Sequence, residues 1–319
     1  MTISSPLNQL TFSDIYLGQS TTFLAGVPGK LDPVPAPEDC AQELRDLRKQ
    51  CTEFVEMNEK KEFAVRGNDV AYRVSTMQSL KEVVYVLRRF PSEVPQINEL
   101  GIHPGHIKQL MMPGMTGLVV VSGAYAQGKT WTASSLIAAR LAEFGGVAIT
   151  VEDPPEMPLE GRHGEGVCYQ TWAEQGGFGQ SCRDAARWVP SMLFLGEVRD
   201  GETAAEALRA SINGRLVVCT THADNIPTTI ERLYSLANGN AGNSEDVANI
   251  LASGLTAVIH QRLETDANGA RRPKIGFLWL GNEDESKGVR NTIRHRRFVE
   301  IDNEVTLQLN RMMMTRRAG

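Results

Sequence analysis

Nothing in this chain is long and apolar enough to span a bilayer. Its apolar runs, such as LVVV at 118–121 and MLFL at 192–195, fall far short of the roughly 20 residues a membrane helix needs. A membrane role therefore has to pass through a partner. Cysteine is sparse: Cys40, Cys51, Cys168, Cys182 and Cys219 are scattered, with no C-x-x-C pair. That argues against a zinc ribbon or a disulfide framework and suits a reducing cytoplasm. The first residues, MTISSPLNQLTFSDIYLG, lack the basic-then-apolar pattern of a secretory leader. Aromatic residues are only 6% and the formal net charge is −5, which excludes the basic excess of a general nucleic-acid binder. There is no internal repeat and no long low-complexity tract. What is present is ordinary: 41% hydrophobic and 22% charged residues over 319 positions, enough for a soluble core and two domains.

The two expected domains differ in pattern. LGQSTTFLAGVPGKLDPVPAPED is rich in Gly, Pro and Thr and predicts short strands and turns. Residues 41–60 predict a helix, because Leu44, Leu47, Cys51, Phe54 and Val55 fall on one stripe. EFAVRGNDVAYRVST reads as two strands around a Gly-Asn-Asp turn, and KEVVYVLRRF as another strand. Prolines and glycines then punctuate FPSEVPQINELGIHPGHIKQLMMPGMTG. The boundary is placed near 95–115, dividing the chain into a domain at 1–100, a linker at 101–116 and a domain at 117–319. His103 and His106 in this stretch read as polar loop residues. Beyond it, strands and helices alternate: GLVVVSG, a helix through TWTASSLIAARLAEF stopped by Gly145-Gly146, VAITVED, MLFLGE, a helix through GETAAEALRASIN, and RLVVCTTHA. SEDVANILASGLTAVIHQRL predicts one long amphipathic helix capped by Ser244, and KIGFLWLG a late strand. Such alternation with buried apolar strands predicts an α/β domain around a largely parallel sheet.

The stretch GAYAQGKT at 123–130 fits G-x-x-x-x-G-K-[ST], with a strand before it and a helix after it. Gly123 and Gly128 let the backbone wrap phosphate oxygens with its amide hydrogens pointing inward, and the helix adds its positive end. Lys129 supplies charge to the outer phosphates and Thr130 a hydroxyl to magnesium. Tyr125 and Gln127 are large for such a loop and are expected to point outward. A phosphate loop also needs an acidic site to activate water and orient metal. Glu152 and Asp153 follow VAIT, and Glu197 follows MLFLG. Parallel strands bring their C-terminal ends to one crevice, so these carboxylates are expected to converge. His222, past LVVCTT, stands at another strand end and suggests a polar sensor of the γ-phosphate.

In that fixed order, the Walker A loop GAYAQGKT, the aspartate box VEDPPE, the Walker B stretch MLFLGEVRDGETAAEAL and the histidine box LVVCTTHADN, with Arg232 ten residues beyond His222, resemble the secretion-ATPase superfamily. This superfamily comprises the ATPases of type II secretion, type IV pili and type IV secretion; pilus-retraction and type IVB conjugation or export ATPases resemble the chain most. GEVRDGET is the most specific piece. The resemblance reaches TFSDIYL, YRVSTM and VLRRFPSEVPQINELG, and near the C-terminus GVRNTIRH, so it covers roughly 12–297. It implies a PAS-like α+β N-terminal domain, a RecA-like P-loop ATPase domain, Mg-ATP as substrate and a homohexamer at an inner-membrane platform, cytoplasmic and without direct nucleic-acid contact. It further implies that Arg73 and Arg88, and Lys81 less closely, reach nucleotide at the domain boundary. Glu197 would orient or activate water, Glu152 with Thr130 would hold magnesium, and Asp153 and Arg232 would bind nucleotide. The chain departs from the family at Ala124, Tyr125 and Ala126 of the loop, in RWVPSMLFLGE and at Thr292-Ile293, and lacks the tetracysteine module of many assembly motors.

Two other functions compete. A nucleic-acid motor would want a basic channel with stacking aromatics. The basic segments RHRRF at 294–298 and Arg316-Arg317 lie far from the motifs in sequence and read as a solvated face or docking surface. A scaffold that holds nucleotide without turnover would not need both Glu152 and Glu197. The run Met312–Met314 reads as a terminal contact.

Overall fold

The computed structural model describes residues 5–67, 70–173, 177–240, 244–265, 271–281 and 283–315. Its contacts divide the chain into two compact units, Met1–Glu93 and Val94–Gly319.

The first unit is a six-stranded antiparallel sheet with one long helix. Its elements are β1 (Asp14–Leu17), β2 (Thr22–Ala25), β3 (Val34–Pro35), α1 (Ala41–Asn58), β4 (Glu62–Gly67), β5 (Val70–Gln78) and β6 (Val83–Arg89), and the strand order is β3-β2-β1-β6-β5-β4. The helical stripe buries Leu44, Leu47 and Cys51, and Phe54 stacks on Phe63 at 4.4 Å. Alternation along the strands buries Phe63, Tyr72, Val74, Tyr85 and Leu87. Arg73 and Arg88, at the intervening positions, point to the opposite face, where they are direct cross-strand neighbours. The expected turn residues Asn68 and Asp69 lie outside the described residues.

The second unit is a three-layer α/β fold. It contains α2 (Pro104–Leu110), β7 (Gly117–Ser122), α3 (Lys129–Phe144), β8 (Val147–Glu152), β9 (Gly161–His163), β10 (Gly166–Trp172), α4 (Phe178–Arg187), β11 (Met192–Leu195), α5 (Gly201–Ser211) and β12 (Leu216–Thr221). Then follow α6 (Ile226–Asn240), α7 (Ser244–Gly254), β13 (Leu255–Thr265), β14 (Arg271–Trp279), α8 (Glu283–Arg294) and α9 (Ile301–Thr315). The sheet runs β14-β13-β7-β12-β11-β8-β10-β9, parallel inside with antiparallel edges at β14 and β9. Residues of α4 to α8 pack on one face and of α2 and α3 on the other, so β7, β11 and β12 are buried throughout.

Three expectations need correction. The helix expected across 244–263 stops at Gly254, and the chain continues as β13. A side chain at Gly254 would collide with the Ser211 hydroxyl, so the chain packs closely there. From Leu255 onward Thr256, Val258 and Ile259 favour a strand, which pairs in parallel with β7. An apolar run buried on all sides has no periodicity to separate helix from strand. The Ser244 cap falls outside the described side chains. Residues 95–115 also form part of the second unit: Ile97, Ile102 and Leu110 are buried in its core. The Ser135 hydroxyl donates to Pro95 O (2.7 Å) and the Arg140 guanidinium to Leu110 O (2.6 Å). His103 accepts from Gly105 N–H at 3.1 Å at the start of α2. His106 is no loop residue, because α2 turns its ring inward onto Phe277 at 4.0 Å. Arg294 to Arg297 are exposed, whereas Arg316, Arg317 and the side chains of Met312–Met314 lie outside the described residues. Among the described residues no helix is long and apolar enough to cross a membrane.

Candidate active site

β7 delivers the chain into the loop at Gly123, whose φ of 151° and close approach to the Gln261 carbonyl leave no room for a side chain. Gly128, with φ 78°, turns the chain into α3, so the positive end of that helix opens at Lys129. Lys129 is 8% exposed. Its ammonium donates to the carbonyls of Gly123 (3.0 Å) and Ala124 (2.8 Å) and lies 3.2 Å from His222 Nδ1. Burial lowers its pKa, while Glu197 and Glu156 pull the other way. Tyr125 points outward as expected, 77% exposed, but Gln127 is half-buried and reaches back toward β13.

The acidic residues follow from strand order. β8 and β11 are neighbours with Val151 opposite Leu195, which brings Gly196 against Glu152. A Cβ at Gly196 would stand 3.2 Å from Glu152 Cγ, a reason for glycine before the glutamate. Glu152 is 2% exposed and accepts from Gln170 Nε2 at 2.9 Å. Burial pushes its carboxyl up to about 7, against the hydrogen bonds of Gln170 and Thr150. Glu197 meets His222 Nε2 at 3.0 Å through one oxygen and Arg199 at 2.9 Å through the other. The Thr220 hydroxyl donates to Gly196 O (2.5 Å) and the Thr221 hydroxyl to Val198 O (3.1 Å), strapping the end of β12 to the Glu197 loop. The result is a chain Lys129–His222–Glu197–Arg199. A neutral imidazole with its proton on Nε2 serves both neighbours: Nδ1 accepts from the ammonium and Nε2–H donates to the carboxylate.

Thr130 Oγ1 donates to Glu156 Oε2 at 2.9 Å, and Trp172 Nε1 donates to Asp153 Oδ1 at 3.2 Å. Hydroxyl and carboxylate oxygens are the hard donors that magnesium prefers. Among the described residues no three His, Cys, Asp or Glu side chains gather to hold a metal by themselves. The Thr130 hydroxyl and these carboxylates are of the kind that would suit a magnesium ion taking its other ligands from phosphate and water. Arg232 is exposed on α6, outside these contacts. Arg73 and Arg88 belong to the first unit, where they pair with Glu62 (3.0 Å) and Asp14 (2.8 Å); Lys81 is exposed there too. Sequence reasoning missed Arg199, Glu156, Gln170 and Gln261. The first two stand inside the quoted motifs and were within reach. The two glutamines lie in strand segments with no motif to signal them.

The profile of the family described as type II/IV secretion system protein matches residues 40–300. The chain is 31% identical over 219 residues to the uncharacterized protein YggR of Escherichia coli, taking in 67% of this chain and 65% of YggR. It is 29% identical over 276 residues to the type IV pilus ATPase PilU of Pseudomonas aeruginosa, covering 81% of this chain and 70% of PilU. The crystal structure of the pilus retraction motor PilT with bound ADP superposes with a TM-score of 0.77 at 26% identity, over 94% of this chain and 87% of that one.

Proposed function

Because this chain belongs to the family of type II/IV secretion system proteins, we propose that it is an ATP-hydrolysing motor of a type IV pilus or related secretion machine. The observation that carries the reading is the contact chain from Lys129 of the phosphate loop through His222 to Glu197. A scaffold that only held nucleotide would have no use for a carboxylate tied in this way to the phosphate-binding lysine. The pilus machine is favoured because the alignment to PilU spans 81% of the chain.

Lys129 and the amide hydrogens of the loop hold the outer phosphates, with the positive end of α3 behind them. Glu197 orients the attacking water, its two oxygens aligned by His222 and Arg199. His222 touches both the phosphate-binding lysine and the catalytic carboxylate, so it reports phosphate position to the water site. Thr130 and Glu152 would hold the magnesium ion, which when bound neutralises phosphate charge. Asp153 and Arg232 are assigned to nucleotide binding. Arg73 and Arg88, carried by the first unit, compensate charge as the phosphoryl group leaves. In this reading the first unit is the PAS-like domain and the second the RecA-like one. Hydrolysis changes the angle between them, and a ring of six copies in the cytoplasm transmits that motion to an inner-membrane platform.

The test is steady-state ATP hydrolysis by the full chain against Glu197→Gln, with nucleotide binding measured in both. Turnover is expected in the wild type, and a variant about 10²–10⁴-fold slower that still binds. Equal turnover in both would overturn the assignment of Glu197, and a wild type that binds ATP without turning it over as a purified ring would overturn the motor reading.

A further inference from the structure

β7 leaves the sheet at Ser122, but its neighbour does not. The pairing ends with His260 opposite Ser122, while β13 runs on to Thr265. The phosphate loop therefore passes alongside a strand whose next residue is Gln261. That side chain is 4% exposed and engaged at both ends of its amide. Its Nε2 donates to the carbonyl of Gln127 at 2.7 Å, and its Oε1 accepts from the hydroxyl of Thr132, in the first turn of α3, at 2.5 Å. Its backbone carbonyl fills the space a Cβ on Gly123 would take, and its Nε2 lies 2.9 Å from the Cβ position of Gly128. Gln127 completes the join: its Oε1 accepts from Leu263 N–H at 2.6 Å, a ladder donor of β13, and its Nε2 donates to Tyr125 O at 3.2 Å. One residue from a strand more than a hundred positions away thus touches the first and last glycines of the loop, a carbonyl between them and the helix that follows.

We infer that Gln261 is a positioning residue for nucleotide, clamping the phosphate loop onto β13 so that its cradle is formed before phosphate arrives. The inference takes the ligand from the ATPase reading above. The chemistry requires a carboxamide. The Gln127 carbonyl only accepts, so it needs a donor, while the Thr132 hydroxyl here donates and needs an acceptor. A glutamate would set two oxygens against a carbonyl, and an apolar side chain would leave a buried hydroxyl and a part-buried carbonyl unpaired. A glycine-bracketed loop has much conformational freedom to lose, and a clamp that removes it beforehand lowers the cost of binding. Such a clamp acts on binding rather than on the chemical step, so KM and Kd move while kcat does not.

The experiment uses the full chain. Hydrolysis across a range of ATP concentrations and equilibrium binding of a fluorescent ADP are measured for wild type, Gln261→Leu, Gln261→Glu, Thr132→Val and Thr132→Ser, with melting curves to confirm folding. Gln261→Leu is expected to raise KM and Kd together by about tenfold to a hundredfold, with kcat within about threefold of wild type. Gln261→Glu moves the same way, Thr132→Val moves less, and Thr132→Ser, which keeps the hydroxyl, matches wild type. Gln261→Leu combined with Thr132→Val binds no more weakly than Gln261→Leu alone, because both cut one network. A folded Gln261→Leu with KM and Kd within about twofold of wild type, or with kcat reduced at constant KM, would overturn the inference. If Gln261→Leu does not fold, the threonine pair decides: weaker binding in Thr132→Val but not Thr132→Ser supports the clamp, and equal binding overturns it. If the wild type binds ADP but does not turn over ATP, the motor reading fails while the Kd series still decides the clamp.

Discussion

Lys129 is a buried ammonium held by two carbonyls and an imidazole rather than by a carboxylate in contact with it. Burial disfavours its charge, so without phosphate the residue is a burden to the fold. Lys129→Met should therefore melt no lower than wild type in the absence of nucleotide and lose the upward melting shift that ATP produces, which thermal unfolding with and without ATP checks. His106 is a second buried titratable group, 7% exposed, with its Nδ1 unpartnered and its ring on Phe277. Burial, then the nearby His103, lowers its pKa to about 4. Its folded pKa lies below the unfolded value, so the unfolded chain takes up the proton first as pH falls. The stability is whole at pH 7 and is lost as pH drops from about 6.5 toward 4, by on the order of 2–3 kcal/mol. Urea unfolding at several pH values should show His106→Gln, which does not titrate, losing less over that window than wild type.

Among the elements, the junction of α7 with β13 decides where the strand beside β7 begins. Gly254 lies against Ser211 and Ile212 at the end of α5, and an added methyl group would meet the Ser211 hydroxyl. Gly254→Ala is expected to cost about 1–3 kcal/mol, read as a lower denaturation midpoint at unchanged slope. The ends of β8, β11 and β12 act as one construction. Gly196 makes room for Glu152, and the hydroxyls of Thr220 and Thr221 fasten the Glu197 loop to β12. Thr221→Val removes one strap, and is expected to lower kcat through Glu197 placement with nucleotide Kd unchanged, which single-turnover kinetics together with binding would test.

For the molecule as a whole, the residues assigned to one reaction are divided between two compact units. Arg73 and Arg88 belong to the first, and Lys129, Glu152, Glu197 and His222 to the second. The arginine pairs with Glu62 and Asp14 are partly exposed and contribute little to stability, on the order of 0–1 kcal/mol. Arg88→Ala in the full chain should therefore keep its melting temperature and its nucleotide binding, yet lose about 10²-fold or more in kcat. Unchanged kcat would remove Arg88 from the reaction.

The phosphate loop could be read in advance because its chemistry is local: two glycines, a lysine and a hydroxyl within eight residues, between a strand and a helix that local patterning also predicts. Glu152 and Glu197 were legible for a related reason, since a carboxylate just past a parallel strand has one crevice to face. The helix of the first unit announced itself through its apolar stripe. Where burial is complete the pattern falls silent: residues 255–259 are buried on both faces, and pairing with β7 and β14 makes them part of a strand. The inward turn of His106 depended likewise on Phe277, far along the chain. Gln170 and Gln261 lie outside every motif, and each acts on a group that sheet order, not chain order, brings beside it. Residue types and short spacings thus marked the candidate reacting groups. Folding chose their supports, because neighbouring strands exchange side-chain contacts across sequence distances that no local pattern spans.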